Sequence, residues 1–155
     1  MEVAMKFGLS AFLIWTVCLP VLGESYSTDP ETWYVKDYAA LWEDKPGGNI
    51  DAMLTHYNDV VVEHSSDGTV TTTAAREWLG APMQEWLADG WLNASLVTVQ
   101  TDRINATTAS FKARWLDRYV NAEEEASCGW YLADLRNDRW TFTAYADIEC
   151  TEHEL

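Results

Sequence analysis

The sequence predicts an α+β fold in which helices pack on one face of a curved sheet. Apolar residues recur at helical spacing before Gly90, and apolar and polar residues alternate after it. The strands predicted after Gly90 follow one another along the chain, an arrangement that favours antiparallel pairing through short turns. Helices that precede such strands in sequence typically cover one face of their sheet. The length of 155 residues favours a single domain.

Residues 1–23 have the layout of a secretory signal peptide. Lys6 precedes an apolar run over 7–19, and the small residue Gly23 follows that run. The run is shorter than the roughly 20 apolar residues that a membrane-spanning helix needs, although an uncleaved anchor is the alternative interpretation. We therefore expect residues 24–155 to form a single mature domain that is secreted or periplasmic and does not associate with membranes.

Three helical segments are predicted before Gly90. The first begins at the capping sequence 28–31, and the second is short and capped by Asn49. The third covers about 73–89, and Pro82 predicts a kink or a break inside it. The apolar faces of the three segments share helical spacing and consist of Tyr34, Tyr38, Leu41 and Trp42; of Ile50, Met53, Leu54 and Tyr57; and of Trp78, Leu79, Met83, Trp86 and Leu87.

Five strands are predicted, one before the third helix and four after it. They cover 60–62, 96–99, 111–115, 129–135 and 140–148. Where Phe111, Ala113 and Trp115 alternate with basic residues, one strand face is expected to be buried and the other solvated. The last two strands are joined at the turn sequence 137–138.

Two cysteines are expected to remain in the mature chain. Cys18 leaves with the signal peptide, and Cys128 and Cys150 form a candidate disulfide in an exported protein. The predicted hairpin places Cys128 beside residues 146–148, so Cys150 lies near it but not opposite it. A disulfide therefore needs a bulge or a flared end of the hairpin; two unbridged thiols are the alternative.

The charge of the chain excludes several classes of partner. Acidic residues number 25 and basic residues 10, giving a net charge of -15. Such a surface repels nucleic acids, anionic membranes and polyanionic substrates. His56 and His64 are separated by a helix end and a strand, and Glu63 points to the opposite strand face from His64. With no phosphate-binding loop or nucleophile elbow either, the sequence predicts neither a metal nor a cofactor.

Four segments resemble the nuclear transport factor 2-like superfamily, which includes SnoaL-like cyclases and ketosteroid isomerases. Residues 37–42, 49–51 and 56–62 are similar to the superfamily's opening, and 132–142 to its closing hairpin. The resemblance implies a cystatin-like roll: a cone-shaped, curved antiparallel sheet on three N-terminal helices, with an apolar pocket inside. It also implies a homodimer formed through the sheet.

The resemblance assigns roles to two residues. Tyr38 matches the first-helix tyrosine that donates a hydrogen bond to a developing oxyanion in the isomerases. His64 falls within one residue of their carboxylate base, and an imidazole near a carboxylate can act as a general base. The third group of those enzymes, a protonated acid, maps near Trp130 or Tyr131, where this chain has no acid. The expected pocket walls are Trp42, Tyr57, Trp78, Trp115 and Trp130.

Three functions follow from these observations. The first is an exported domain that binds a small apolar or amphipathic molecule in an aromatic-lined pocket. The second is a small isomerase or cyclase with His64 as base and Tyr38 as donor. The third is a non-catalytic dimerisation or interaction module whose interior is filled by its own tryptophans. A cavity of about 300 Å³ or more beside His64 and Tyr38 would separate the third function from the other two.

Overall fold

The computed structural model describes residues 26–43 and 50–151. The first helix, α1, is α-helical over Pro30–Trp33 and Ala40–Glu43 and π-helical over Tyr34–Ala39. Helix α2 covers Ile50–Leu54, and α3 covers Ala75–Ala88. The predicted signal peptide and the predicted Asn49 cap lie outside the described residues.

The start of α1 agrees with the predicted capping sequence, and α3 differs from the prediction at Pro82. The carboxylate of Asp29, one residue after the start of the predicted capping sequence, accepts a hydrogen bond from the Thr32 N–H at 2.9 Å. Helix α3 continues through Pro82, so the predicted break is not present. Proline removes one helical hydrogen bond, and the burial of Leu79 and Met83 on either side of it keeps the helix intact.

The strands form one six-stranded sheet in the order β2-β1-β6-β5-β4-β3. Their bounds are Tyr57–His64 for β1, Val70–Ala74 for β2, Trp91–Asn105 for β3, Thr108–Tyr119 for β4, Glu124–Arg136 for β5 and Arg139–Asp147 for β6. The four strands after Gly90 are sequential and antiparallel, as predicted. One further pairing was not part of the prediction, because β6 returns beside β1 and pairs with it in parallel.

A bulge in β6 changes which of its side chains face the helices. Ala133 pairs with Phe142 and Leu132 with Ala144, which leaves Thr143 without a partner in the register. The extra residue reverses the alternation, so that Phe142 and Tyr145 both face the concave side. Strand β6 therefore contributes one aromatic ring, Phe142, to the core and another, Tyr145, to a cavity.

The core between the helices and the sheet consists mainly of aromatic side chains. Its largest fully buried members come from both layers and are Trp33, Tyr34, Tyr38, Phe111, Trp140 and Phe142. The Trp33 indole lies 4.9 Å from the Phe142 ring, and the Tyr34 ring is stacked on Phe111 at 4.8 Å. The excess of aromatic residues in the sequence is thus used largely to fill the fold.

The predicted disulfide between Cys128 and Cys150 is confirmed, with a Cα–Cα distance of 5.4 Å. Cys150 follows the end of β6, where the chain is no longer part of the ladder. One further hydrogen bond, from the Ile148 N–H to the Cys128 carbonyl, keeps this segment beside β5. The bridge therefore forms at a flared hairpin end, as the positions of the two cysteines require. Within the described residues, no helix has the length and apolarity needed to cross a membrane.

Candidate functional site

A cavity of about 270 Å³ lies against the concave face of the sheet. Helices α1 and α3 each contribute a tryptophan, and strands β3 to β6 contribute the rest of the wall. The lining residues are Trp42, Trp86, Trp91, Ala94, Trp115, Asp117, Tyr119, Glu125, Ser127, Tyr131, Tyr145 and Asp147. The cavity thus combines an aromatic wall with several acidic side chains.

A second cavity of about 170 Å³ adjoins the first and lies closer to β1 and the middle of α3. Residues of both helices and of the last two strands are common to the two cavities: Trp42, Trp86, Tyr131, Tyr145 and Asp147. The residues found only in the smaller one are Tyr38, Tyr57, Glu63, Trp78, Leu79 and Pro82. Because they share one wall, the two cavities are neighbouring parts of one aromatic interior.

Strand alternation explains why the sequence places these side chains inside. On β4 and β5 the inward positions are every second residue, and Trp115 pairs with Ser127 while Asp117 pairs with Glu125. Gly129 occupies the next inward position of β5. A Cβ there would lie 2.9 Å from the Tyr145 ring and 3.0 Å from the Tyr131 ring. Glycine therefore allows the two tyrosines to approach each other across the wall.

The aromatic side chains meet mostly at steep angles. The Trp42 ring lies 6.1 Å from both Trp91 and Trp115, at interplanar angles of 81° and 55° respectively. The rings of Tyr131 and Tyr145 are 5.1 Å apart and edge-on. Edge-to-face packing holds the rings in fixed orientations and turns their faces in several directions.

Two of the acidic side chains are held in place by hydrogen bonds from their neighbours. The Asp117 carboxylate accepts from the Trp91 Nε1–H at 2.9 Å and from the Ser127 hydroxyl at 2.5 Å. The Asp147 carboxylate accepts from the Tyr145 hydroxyl. Burial and this hydrogen bond raise the pKa of Tyr145, so its hydroxyl keeps its proton and remains a donor. No Lys, Arg or His is among the described residues that line either cavity.

Two indole N–H groups in the wall are shielded from solvent without a hydrogen-bond partner among the described residues. They belong to Trp42 and to Trp115, which is only 5% exposed. The Trp115 indole N–H acts to lower the pKa values of the Tyr34 and Tyr131 hydroxyls, although it forms no well-aligned hydrogen bond with either. A buried donor without an acceptor is costly, so these two N–H groups are polar atoms that the packing of the wall leaves unsatisfied.

The structure does not bring His64 and Tyr38 together at one cavity. His64 is exposed at the end of β1, where it pairs with Val70 and Ala146, and it lines neither cavity. Tyr38 lines the smaller cavity and shares a 2.5 Å hydrogen bond with the Tyr57 hydroxyl. Burial raises the pKa of Tyr38 well above its usual value, with a further contribution from Tyr57.

Four of the five side chains predicted as pocket walls line a cavity: Trp42, Tyr57, Trp78 and Trp115. That these four contact a ligand stays a prediction. Trp130 does not line either cavity. Tyr131 takes the inward position on β5, and adjacent residues of a strand face opposite sides. Trp130 therefore belongs to the outer face of the sheet.

The acidic part of the site was not predicted from the sequence. Asp117 continues the alternation of Phe111, Ala113 and Trp115, so extending that pattern by one step would have placed it inside. Asp147 faces inward only because of the bulge at Thr143, for which the sequence carries no comparable signal. Among the described residues, no group of three or more His, Cys, Asp or Glu side chains could hold a metal ion.

Comparison with solved structures identifies the fold. An NTF-2 like protein of unknown function from Shewanella oneidensis MR-1 is 19% identical, with a TM-score of 0.61 over 79% of this chain and 98% of that one. An uncharacterized protein with a cystatin-like fold from Caulobacter vibrioides is 14% identical, with a TM-score of 0.57 over 84% and 92%. A cystatin-like domain of unknown function from Nostoc punctiforme is 13% identical, with a TM-score of 0.53 over 76% and 74%.

No protein-family model matches the sequence, and no curated protein matches it significantly. The chain has the NTF2-like, cystatin-like fold, which the resemblance of its opening and closing segments implied. At these identities the likeness concerns the fold, and a function has to be argued from the cavity.

Proposed function

We propose that this chain is an exported domain that binds a small apolar or amphipathic molecule in its aromatic-lined cavity. The observation that carries the proposal is the cavity of about 270 Å³ walled by rings of both helices and four strands. Its volume is close to the lower end of the range for small-molecule sites, and its mostly aromatic wall with a few polar groups is typical of them. Export rests on the signal-like residues 1–23, and a disulfide is typical of proteins in oxidising compartments.

The geometry favours binding over acid–base catalysis. An isomerase-type reaction needs the base and the hydroxyl donor at one substrate. His64 is outside both cavities, whereas Tyr38 lines the smaller one and is already bonded to Tyr57. The criterion of a cavity of about 300 Å³ beside His64 and Tyr38 is not met, because the cavity at Tyr38 measures about 170 Å³ and His64 lines neither cavity. What supports binding over a module filled by its own tryptophans is the open space of about 270 Å³ beside Trp42 and Trp115. A homodimer through the outer sheet face, where Trp130 lies, stays a prediction.

A cavity-filling substitution tests this proposal. Ala94 lines the larger cavity and is buried, so Ala94→Leu should occupy space that a ligand needs. We expect benzyl alcohol, a small neutral amphipathic probe, to shift the indole N–H resonances of Trp42 and Trp115 in the wild-type NMR spectrum. Its dissociation constant should rise at least about tenfold in Ala94→Leu, because filling the cavity removes the apolar area that the probe buries.

The matched control is Ala126→Leu, the same change at an exposed position of β5 that lines neither cavity. This variant should bind the probe like the wild type. Probe shifts confined to Trp130, or unchanged binding by a folded Ala94→Leu variant, would contradict the proposal. If the NMR spectrum shows that Ala94→Leu is not folded, the wild-type spectrum alone tests the proposal. Probe-induced shifts at Trp42 and Trp115 would then support it, and their absence would contradict it.

A further inference from the structure

We propose that the cavity selects small molecules that carry a positively charged amine, quaternary or protonated. This inference rests on the proposed binding function and names the chemical class of the ligand. It follows from the coincidence of acidic side chains and indole rings in one wall: Asp117, Glu125 and Asp147 lie among Trp42, Trp91 and Trp115. No basic side chain among the described lining residues neutralises these acids.

The aromatic wall provides the first part of the recognition. A cation over the face of a tryptophan is attracted by the negative charge of the ring's π-system, and several rings around one ammonium group form an aromatic cage. Trp42 stands nearly perpendicular to Trp91 at 81°, so the two rings can contact different sides of one group. Trp86 is 40% exposed and lies 6.2 Å from Trp91, which extends the aromatic surface from the interior to the solvent.

The carboxylates provide the second part. Asp117 is fixed by two donors, one of which is the Trp91 indole in the wall itself. Asp147 is fixed by the Tyr145 hydroxyl and is common to both cavities. Asp117 and Glu125 are directly opposite each other on β4 and β5, so their like charges repel, and a bound cation relieves that repulsion. The site should therefore bind a cation more tightly than a neutral molecule of the same shape.

The field of the whole protein acts in the same direction. A net charge of -15 raises the concentration of cations near the surface, most strongly in clefts lined by acidic groups. Glu125 and Asp147 are exposed and Asp117 is half-buried, so the acidic side of the cavity faces the solvent from which a ligand arrives.

The size of the cavity limits the ligand to a small amine. A volume of about 270 Å³ accommodates a trimethylammonium group with a short polar arm and is too small for a peptide of several residues. Choline has this form, and 3,3-dimethyl-1-butanol is its neutral counterpart, with carbon in place of the charged nitrogen. The pair therefore isolates the contribution of the charge at constant shape.

Isothermal titration calorimetry of the mature protein with these two probes tests the inference. We expect choline to bind at least about tenfold more tightly than 3,3-dimethyl-1-butanol, a difference of about 1.4 kcal/mol. The preference should shrink as salt is added, because ions screen the attraction to the exposed carboxylates. Asp147→Asn should reduce choline affinity about tenfold and leave the neutral probe unchanged, since the amide oxygen still accepts from Tyr145.

The matched control is Asp102→Asn, the same change at an exposed position of β3 outside both cavities. Equal affinity for the two probes overturns the preference for cations while leaving the proposed binding function intact. Equal losses in Asp147→Asn and Asp102→Asn overturn it too, because they assign the effect to net charge. If neither probe binds but benzyl alcohol does, the inference alone fails; if none of the three binds, the proposed function fails with it.

Discussion

Replacing Phe142 with alanine should lower the free energy of unfolding by about 4 kcal/mol, the midpoint for truncating a buried phenylalanine. Phe142 is fully buried and lies at the centre of the aromatic core. Six rings from the helices and strands have centroids within 6.2 Å of its own: Trp33, Tyr34, Tyr38, Tyr57, Phe111 and Tyr131. Removing the phenyl ring leaves a hole that this rigid set of rings cannot fill.

Urea unfolding followed by tryptophan fluorescence measures this loss. The control is Val120→Ala, because Val120 is 71% exposed and a surface truncation of this kind changes stability by about 0.5 kcal/mol or less. A loss below about 1 kcal/mol for Phe142→Ala would mean that the core is not centred on this side chain.

Acidification should destabilise the protein through His56. This side chain is only 2% exposed, and its Nδ1 accepts a hydrogen bond from the Trp33 indole at 3.2 Å. Burial, assisted by the positive charge of Arg139, lowers the pKa of His56 from 6.5 to about 4. The unfolded chain therefore binds the proton more readily than the folded one. The stability that His56 contributes is complete above pH 6.5 and is lost as the pH falls toward 4.

Between pH 7 and pH 5 the expected loss from this one group is about 2 kcal/mol, because each unit of pKa difference corresponds to about 1.4 kcal/mol. Urea unfolding at the two pH values measures it, with His56→Asn as the control. Asparagine can still accept the hydrogen bond from the Trp33 indole but does not titrate. The variant's loss of stability between pH 7 and pH 5 should therefore be smaller than that of the wild type by about 2 kcal/mol. If an NMR titration showed that the pKa of His56 in the folded protein is near its ordinary value of 6.5, the account would be contradicted.

The elements with strong local signals were predicted well. Pro30 after a capping residue set the start of α1, and the alternation around Trp115 and the turn at 137–138 set the order of the last strands. Strand β2 was missed because its residues 70–74 are exposed or half-buried and show no alternation of apolar and polar side chains. Its threonines favour a strand, but the predicted third helix begins at about residue 73 and so includes the end of β2.

The candidate site was predicted less completely than the fold, because it depends on which way single side chains point. The family resemblance associated His64 with Tyr38, yet a strand end near the sheet edge leaves His64 exposed. Trp130 was predicted as a pocket wall, and the observed register assigns the inward position to Tyr131 instead. The inward turn of Asp147 depends on one bulged residue, which is a tertiary feature that the sequence alone does not reveal.

Native mass spectrometry of the protein, purified from its source without denaturation, tests the central claim most directly. We expect a population heavier than the chain by the mass of one small molecule, which dissociates when the protein is unfolded. The released molecule should fit a cavity of about 270 Å³. The protein must be kept in contact with the small molecules of the source extract until it is measured. If the native spectrum then shows only the mass of the unliganded chain, the claim that this cavity holds a ligand is contradicted.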